Sequence, residues 1–504
     1  MAEENTNTEC PVGEAVISTD LSSNIEKLKR IFAYPKNEDF AIRELYIELV
    51  KKKAALLYIE GIVNEQVIDK FIIDAIINNS NYKANGIQGI ELVKLSLAIV
   101  KVKEVNAFTR ITETLLDGYS VLLIDGYDRA ISIDTVKYEH RSIERSETEN
   151  ITKGPHEGFV EAFKINISLI RKHLKNEKLV TESIKVGYKT RTRVLLMYRN
   201  DMVDENLVNN IKERLGRVQT DAMITTSILG QFIEDHDYSV VPTILYTELP
   251  DRAASYIESG HVVILVDNSP SVLIAPATFW VLFHTPEDTY HRWIAGNFIR
   301  FIRIVSVFIM LFTPALYIAA TNYHPEMIPT DLLLAIAASR EKVPFPVVFE
   351  VVGMELAFEV IREASIRIPT SMGATIGIVG ALILGQAAVQ ANIISPLVVI
   401  IVALTGVSSF AVSNTDLNMS IRISRFFFTF CGMVMGFLGI AVGIVVFLGY
   451  AISIRSFGVP FFAPITPHSK SSRDMLFRSS VKDQNLRPLL TNLKLIYKNR
   501  PFKK

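Results

Sequence analysis

Between His324 and Glu363 the chain carries Glu326, Glu350, Glu355 and Glu359, set among strongly apolar segments and broken by Pro325, Pro329, Pro344 and Pro346. Carboxylates in such surroundings can attract cations or neutralise a nearby arginine. Ionised groups are expensive in lipid, so these acids should face protein or water. At about 100° per residue, Glu355, Glu359 and Arg362 share one helix face, and Glu350 falls on the far side. Two readings stay open. Glu355 and Glu359 neutralise Arg362 inside a packed bundle, or some of the four acids line a cation pathway. The second accounts for more acids than one arginine needs.

Other polar and small residues have chemistry of their own. Gln386 and Gln390 lie four apart on a face that should avoid lipid, as interhelical hydrogen-bonding groups or as pore lining. Gly432, Gly436, Gly439 and Gly443 follow i, i+4, i+7, i+11, a continuous small-residue face for close helix packing. His156-Glu157 invites a zinc reading, but no second histidine stands at the spacing that HExxH requires. The run Gly154, Pro155, His156, Glu157, Gly158 is therefore expected at an interlobe or intersubunit contact. No phosphate loop, nucleophile turn or paired cysteines occur, so neither an enzyme, a cofactor nor a metal site is expected.

The elements that must position these residues divide unevenly. The chain has 504 residues, and its 53 basic side chains balance 53 acidic ones. No global basic field exists to hold nucleic acid. Cys10 and Cys431 are too few for a disulfide framework. The N-terminus lacks the basic and apolar regions of a secretory signal, so the soluble part is expected in the cytoplasm. Residues 1–35 lack periodicity and read as a flexible arm. From 36 to 280 short β-branched runs alternate with helical patterns, an α/β soluble region. After about 298 come long apolar runs at 299–320, 372–391, 393–412 and 426–453, an all-α polytopic membrane domain over 281–454. Residues 324–363 form a broken or re-entrant element between four spans, with five spans the alternative. Trp280 and Trp293 are candidate interface anchors. A basic tail, 455–504, could lie on anionic membrane lipid.

The soluble region repeats itself. LLYIEGIVNEQVIDKFI from Leu56 matches LLMYRNDMVDENLVNNI from Leu195, each a strand, a turn and a helix opened by Asn64 or Asp204. Aligning Gly118 with Gly260 also aligns Asp125 with Asp267, each opening a two-strand hairpin. The offsets imply a duplicated lobe, 36–140 and 179–280, joined by a connector and helix at 141–178.

RSETENITKGPHEGFVEAFKINISLIR, PALYIAATNYHPEMIPTDLLLAIAASREKVPFP and GALILGQAAVQANIISPLVV resemble the A subunits of GerA-type spore germinant receptors, from about residue 30 to the end. The resemblance implies a multi-pass protein of the spore inner membrane. It implies a transporter-like B subunit and a lipoprotein C subunit as partners. It also implies a homo-oligomer, a pentamer by family likeness, forming a nutrient-gated cation channel that releases monovalent ions early in germination. DNSPSVLIAPATFW is closer to the paralogue SpoVAF, an amplifying channel subunit, whereas HPEMIPTDLLLAIAASRE is closer to the receptor A subunit. A non-conducting scaffold coupling nutrient sensing to another channel is the reading from a different class.

Overall fold

The computed structural model describes residues 16–78, 89–97, 99, 101–137, 149, 153–367, 385–468, 474–480, 484 and 487. Two five-stranded antiparallel sheets form the soluble lobes. Lobe 1 contains β1 (Phe40–Ile47), β2 (Lys52–Ile59), β3 (Val102–Val105), β4 (Ser120–Ile124) and β5 (Ala130–Ile133), in the order β1-β2-β4-β5-β3. Lobe 2 contains β6 (Leu179–Val186), β7 (Thr192–Arg199), β8 (Leu245–Thr247), β9 (Val262–Val266) and β10 (Val272–Ala275), in the order β6-β7-β9-β10-β8. The two orders are the same. The likeness extends to the backbone, since Gly118 and Gly260 turn with φ of 88° and 85°. Asn64 and Asp204 both cap the helices that follow β2 and β7. The duplication legible in the sequence is therefore a duplication of topology.

Residues from Val16 onward depart from the expected loose arm. Asp20 accepts from the backbone N–H groups of Ser22 and Ser23 and starts the helix Leu21–Ile31, which buries Leu21, Ile25 and Leu28 in the lobe 1 core. Their spacing places them on one helical face. The lobes meet edge to edge. Glu38 N–H donates to Thr181 O at 2.9 Å and Thr181 N–H to Asn37 Oδ1 at 3.2 Å. Behind this seam the helix Phe163–His173 buries Arg171, whose Nε donates to Asp39 Oδ2 at 2.9 Å.

The buried residues of lobe 2 form two separate cores, where those of lobe 1 form one. Period-two alternation sends Val262, Ile264 and Val266 into one core, under the helices Glu205–Arg217 and Thr226–Ile233. Val263 and Leu265 enter the other core, shared with Met310, Leu417, Ile421 and Phe461 of the helical region. A short hairpin, β11 (Arg455–Ser456) and β12 (Val459–Pro460), closes the same face, where Ser456 Oγ donates to Thr243 O and accepts from Ala277 N–H. The residues beyond are no free tail where described: Arg478 donates to the Thr289 and His291 carbonyls, and Arg487 to Glu258 O. Trp280 is buried in this junction and is no membrane anchor, while Trp293 is half-exposed at the start of a long helix.

Among the described residues two helices are long and apolar enough to cross a membrane, Trp293–Tyr323 and Thr415–Ser453. The second is not the single long span expected over 426–453. At Met435 and Gly436 the backbone leaves the helical region, Gly436 with φ 58° and ψ −139°. The chain folds back there. The Phe428 and Phe447 rings stand 5.6 Å apart, where a straight helix would separate them by roughly 28 Å. The arms 415–434 and 437–453 are therefore about 30 and about 25 Å long. Tyr323, closing the first long helix, donates to the Met433 and Val434 carbonyls at the turn. Both ends of the hairpin return to lobe 2, where Val240 N–H donates to Tyr450 Oη at 3.2 Å.

Two expectations follow. Asp39→Ala leaves Arg171 buried without its carboxylate and should cost about 3–5 kcal/mol, read as a lower melting temperature of the detergent-solubilised chain, with Asp39→Asn milder. At the mouth of the hairpin, burial first and Asp416 second push the Glu234 carboxyl up to about 7. The folded chain therefore holds a proton that the unfolded chain releases, so stability declines as pH rises through 7. Glu234→Gln should flatten that decline in melting curves taken between about pH 5 and about pH 8.

Candidate functional site

The acids singled out by the sequence lie on two elements. Pro325–Met327 forms a turn of 3-10 helix, and Val347–Arg367 a helix that begins directly after Pro344 and Pro346. Between them Thr330–Arg340 is a separate helix, so the element is broken where its prolines place the breaks. Glu326 is exposed.

Glu350, Glu355 and Glu359 are engaged within the chain. Glu350 is buried, its Oε1 3.3 Å from Arg340 Nε and its Oε2 accepting from Ser395 N–H at 2.9 Å. Ser395 is the N-cap of the helix Pro396–Ser409, so Glu350 places a negative charge where that helix presents free N–H groups. The helix face shared by Glu355 and Glu359 is real, but its partner is not Arg362. Arg425, on the first arm of the hairpin, stands with Nε 3.3 Å from Glu355 Oε1 and NH2 3.0 Å from Glu359 Oε1. Arg422 donates to both Glu359 oxygens. Arg362 instead donates to Ser409 Oγ at 2.6 Å and lies over the Phe410 ring. The reason is geometric: a residue on the same helix at i+3 competes with two arginines on a neighbouring arm that point straight across the interface.

Glu355 is the least satisfied of the three. Its side chain has no exposed surface, and neither oxygen finds a hydrogen-bond donor in good geometry among the described residues. Ion pairing with Arg425 offsets the loss of hydration only in part.

The remaining candidates fall elsewhere. Gln386 and Gln390 are exposed on helical residues 385–390, whose Gly385 lies against Val399 of the Pro396–Ser409 helix. Most of the 372–391 span, with Gly373 and Gly377, lies outside the described residues. The four glycines do not form one continuous face, because the chain reverses within them. Gly432 sits against Ala315 of the first long helix, Gly436 makes the turn beside Tyr323, and Gly439 and Gly443 lie against Cys431 of the opposing arm. A Cβ at Gly432 would come within 2.9 Å of the Ala315 carbonyl oxygen.

The connector residues lie beside the Tyr290 ring and the helix Phe163–His173. Gly154, with φ 138°, lies under the Tyr290 ring, and Gly158 is buried. Pro155 is half-buried and His156 exposed. Glu157 pairs with Lys172 at 2.5 Å, with His173 3.7 Å away. Sequence reasoning did not pair Arg422 and Arg425 with these acids, although both stand just before the apolar run 426–453. A charged residue at that depth demands a partner, and two arginines three apart match two acids four apart.

Arg425→Leu should destabilise the chain by about 3–5 kcal/mol, because it strands a buried carboxylate. The double variant Glu355→Leu with Arg425→Leu should recover much of that loss, measured as melting in detergent.

The family model for Bacillus/Clostridium GerA spore germination proteins matches residues 26–490. Spore germination protein KA of Bacillus subtilis (strain 168) is 40% identical over 466 residues, covering 92% of this chain and 85% of that one. Spore germination protein GerLA of Bacillus cereus is 35% identical over 430 residues, covering 85% and 87%. A crystal structure of the N-terminal domain of the A subunit of the Bacillus megaterium spore germinant receptor GerK3 is 29% identical. It covers 53% of this chain and 98% of that domain, with a TM-score of 0.41. The chain belongs to the GerA family of spore germination proteins.

Proposed function

We propose that this chain is a germinant-receptor A subunit of the spore inner membrane, working with B and C subunits and conducting monovalent cations as a homo-oligomer. Its soluble lobes face the cytoplasm. The observation that carries the conducting role is the exposed polar edge Gln386, Gln390 and Asn392 beside the apolar helix Pro396–Ser409. Lipid offers no hydrogen bonds to such groups, so copies of the chain or a water-filled conduit must cover them.

On this reading the acids divide by role. Exposed Glu326 lies at the mouth of the route. Glu350, Glu355 and Glu359 hold the helices that frame it and do not line it. The sequence reading that some of the four acids line a pathway narrows to Glu326 accordingly.

The test is cation flux through the purified full chain reconstituted in liposomes. Potassium release is expected. Gln386→Leu with Gln390→Leu should reduce it several-fold, and Gln390→Glu should favour cations over anions more strongly. No flux at any protein-to-lipid ratio would favour a non-conducting scaffold.

A further inference from the structure

The outer surface of lobe 2 is unevenly apolar. Six large apolar or aromatic side chains are exposed between 179 and 280: Tyr188, Ile224, Ile228, Phe232, Tyr238 and Val240. Five of them fall within 224–240. The helix Thr226–Ile233 turns Leu229 and Ile233 into the lobe's core, and Ile228 and Phe232, four apart, line its outer face. Phe232 is 50% exposed and Tyr238 98%. Apolar residues exposed singly need no explanation, but five gathered in one short stretch mark a contact surface.

The position of this patch says what it meets. The helix starts near the β6–β7 turn, where Met223 N–H donates to Thr190 Oγ1, and ends at the mouth of the C-terminal hairpin, where Glu234 and Asp416 line one recess. There Val240 N–H donates to Tyr450 Oη at 3.2 Å, and Ser239 Oγ lies 3.2 Å from the same atom. Tyr450 stands one turn before the end of the second arm. On that arm Leu438, Val442, Val445 and Ile452 are exposed, and their spacing puts them on one helical face. In a membrane domain such a face meets lipid, so the patch on lobe 2 begins where the lipid-facing surface ends. The recess, about 490 Å³, has Val240 on one wall and Met419 and Ile423, both half-exposed, on the other.

Charges of both signs stand among these side chains. Asp237 is exposed beside Tyr238, Glu234 is half-buried, and exposed Arg455 precedes the Ser456 that donates to Thr243 O. The core of a protein interface is poor in charge, and hydrocarbon excludes it. The headgroup layer of a bilayer accepts both signs and favours tyrosine, which buries its ring and keeps its hydroxyl wet. We propose that Phe232, Tyr238 and Val240 rest in the headgroup layer of the bilayer that the hairpin enters, so that lobe 2 lies against the lipid surface on this side. This rests on the membrane placement in the proposed function and not on conduction.

The test is fluorescence quenching of the full chain in liposomes of phosphatidylcholine carrying either a nitroxide on the headgroup or bromine on the acyl chain. The chain has only two tryptophans, so a Trp293→Phe background leaves the buried Trp280 as the baseline. Added to that background one at a time, Tyr238→Trp and Phe232→Trp should lose emission to the nitroxide more than to the bromine. Both replace exposed side chains and leave the core intact. Val445→Trp, midway along the arm, should lose emission to the bromine, and Tyr188→Trp, beside the far end of the helix, to neither. Quenching of Val445→Trp with none at 238 or 232 overturns the proposal and leaves the hairpin in the membrane. No lipid quenching of Val445→Trp overturns the membrane placement, and the proposal with it. Indoles at 238 and 232 that answer only to dissolved acrylamide face water, and ones that answer to no quencher are covered by protein, a second copy included. Either result overturns the proposal.

Discussion

One guanidinium holds the helical region in its arrangement. Arg425 stands between Glu355 and Glu359, with Arg422 sharing the second acid, and so fastens the helix Val347–Arg367 to the first arm of the C-terminal hairpin. Apolar side chains alone would leave these helices free to slide and rotate in lipid, where no hydrophobic force separates one apolar face from another. The charged contact fixes both register and rotation. Its cost is desolvation, and Glu355, without a hydrogen bond in good geometry, bears most of it. Around this fastening Glu350 does a similar service at the other end of the same helix, tying Arg340 and the start of the Pro396–Ser409 helix together.

Much of the soluble fold was open to sequence reasoning because it is local. The strands follow period-two alternation, the helices open on Asn64 and Asp204, and the matching hairpins after Gly118 and Gly260 sit at nearly constant offset. The N-terminal helix had the same kind of signal in Asp20, Leu21, Ile25 and Leu28, hidden by a polar surrounding that read as a loose arm.

The site was legible only in half. Helical periodicity put Glu355 and Glu359 on one face, yet their partners come from another element far along the chain, and no periodicity carries that information. The hairpin escaped for a related reason. A glycine at every fourth or third position serves close packing between helices and also permits a residue with φ 58°, and Gly436 belongs to the second use. Arg171 was passed over in an amphipathic helix, although it closes the seam between the lobes.

The two copies of the duplicated lobe have unequal attachments. Lobe 2 gives one whole side of its sheet to a core that runs on into the helices, so neither can shift without opening dry surface to water. Lobe 1 has its own core and reaches its twin through a strand-edge seam and a few ion pairs. Mechanically, the broad core ties lobe 2 to the bundle, so a torque arising among the helices would carry lobe 2 with it and reach lobe 1 only across a narrow joint.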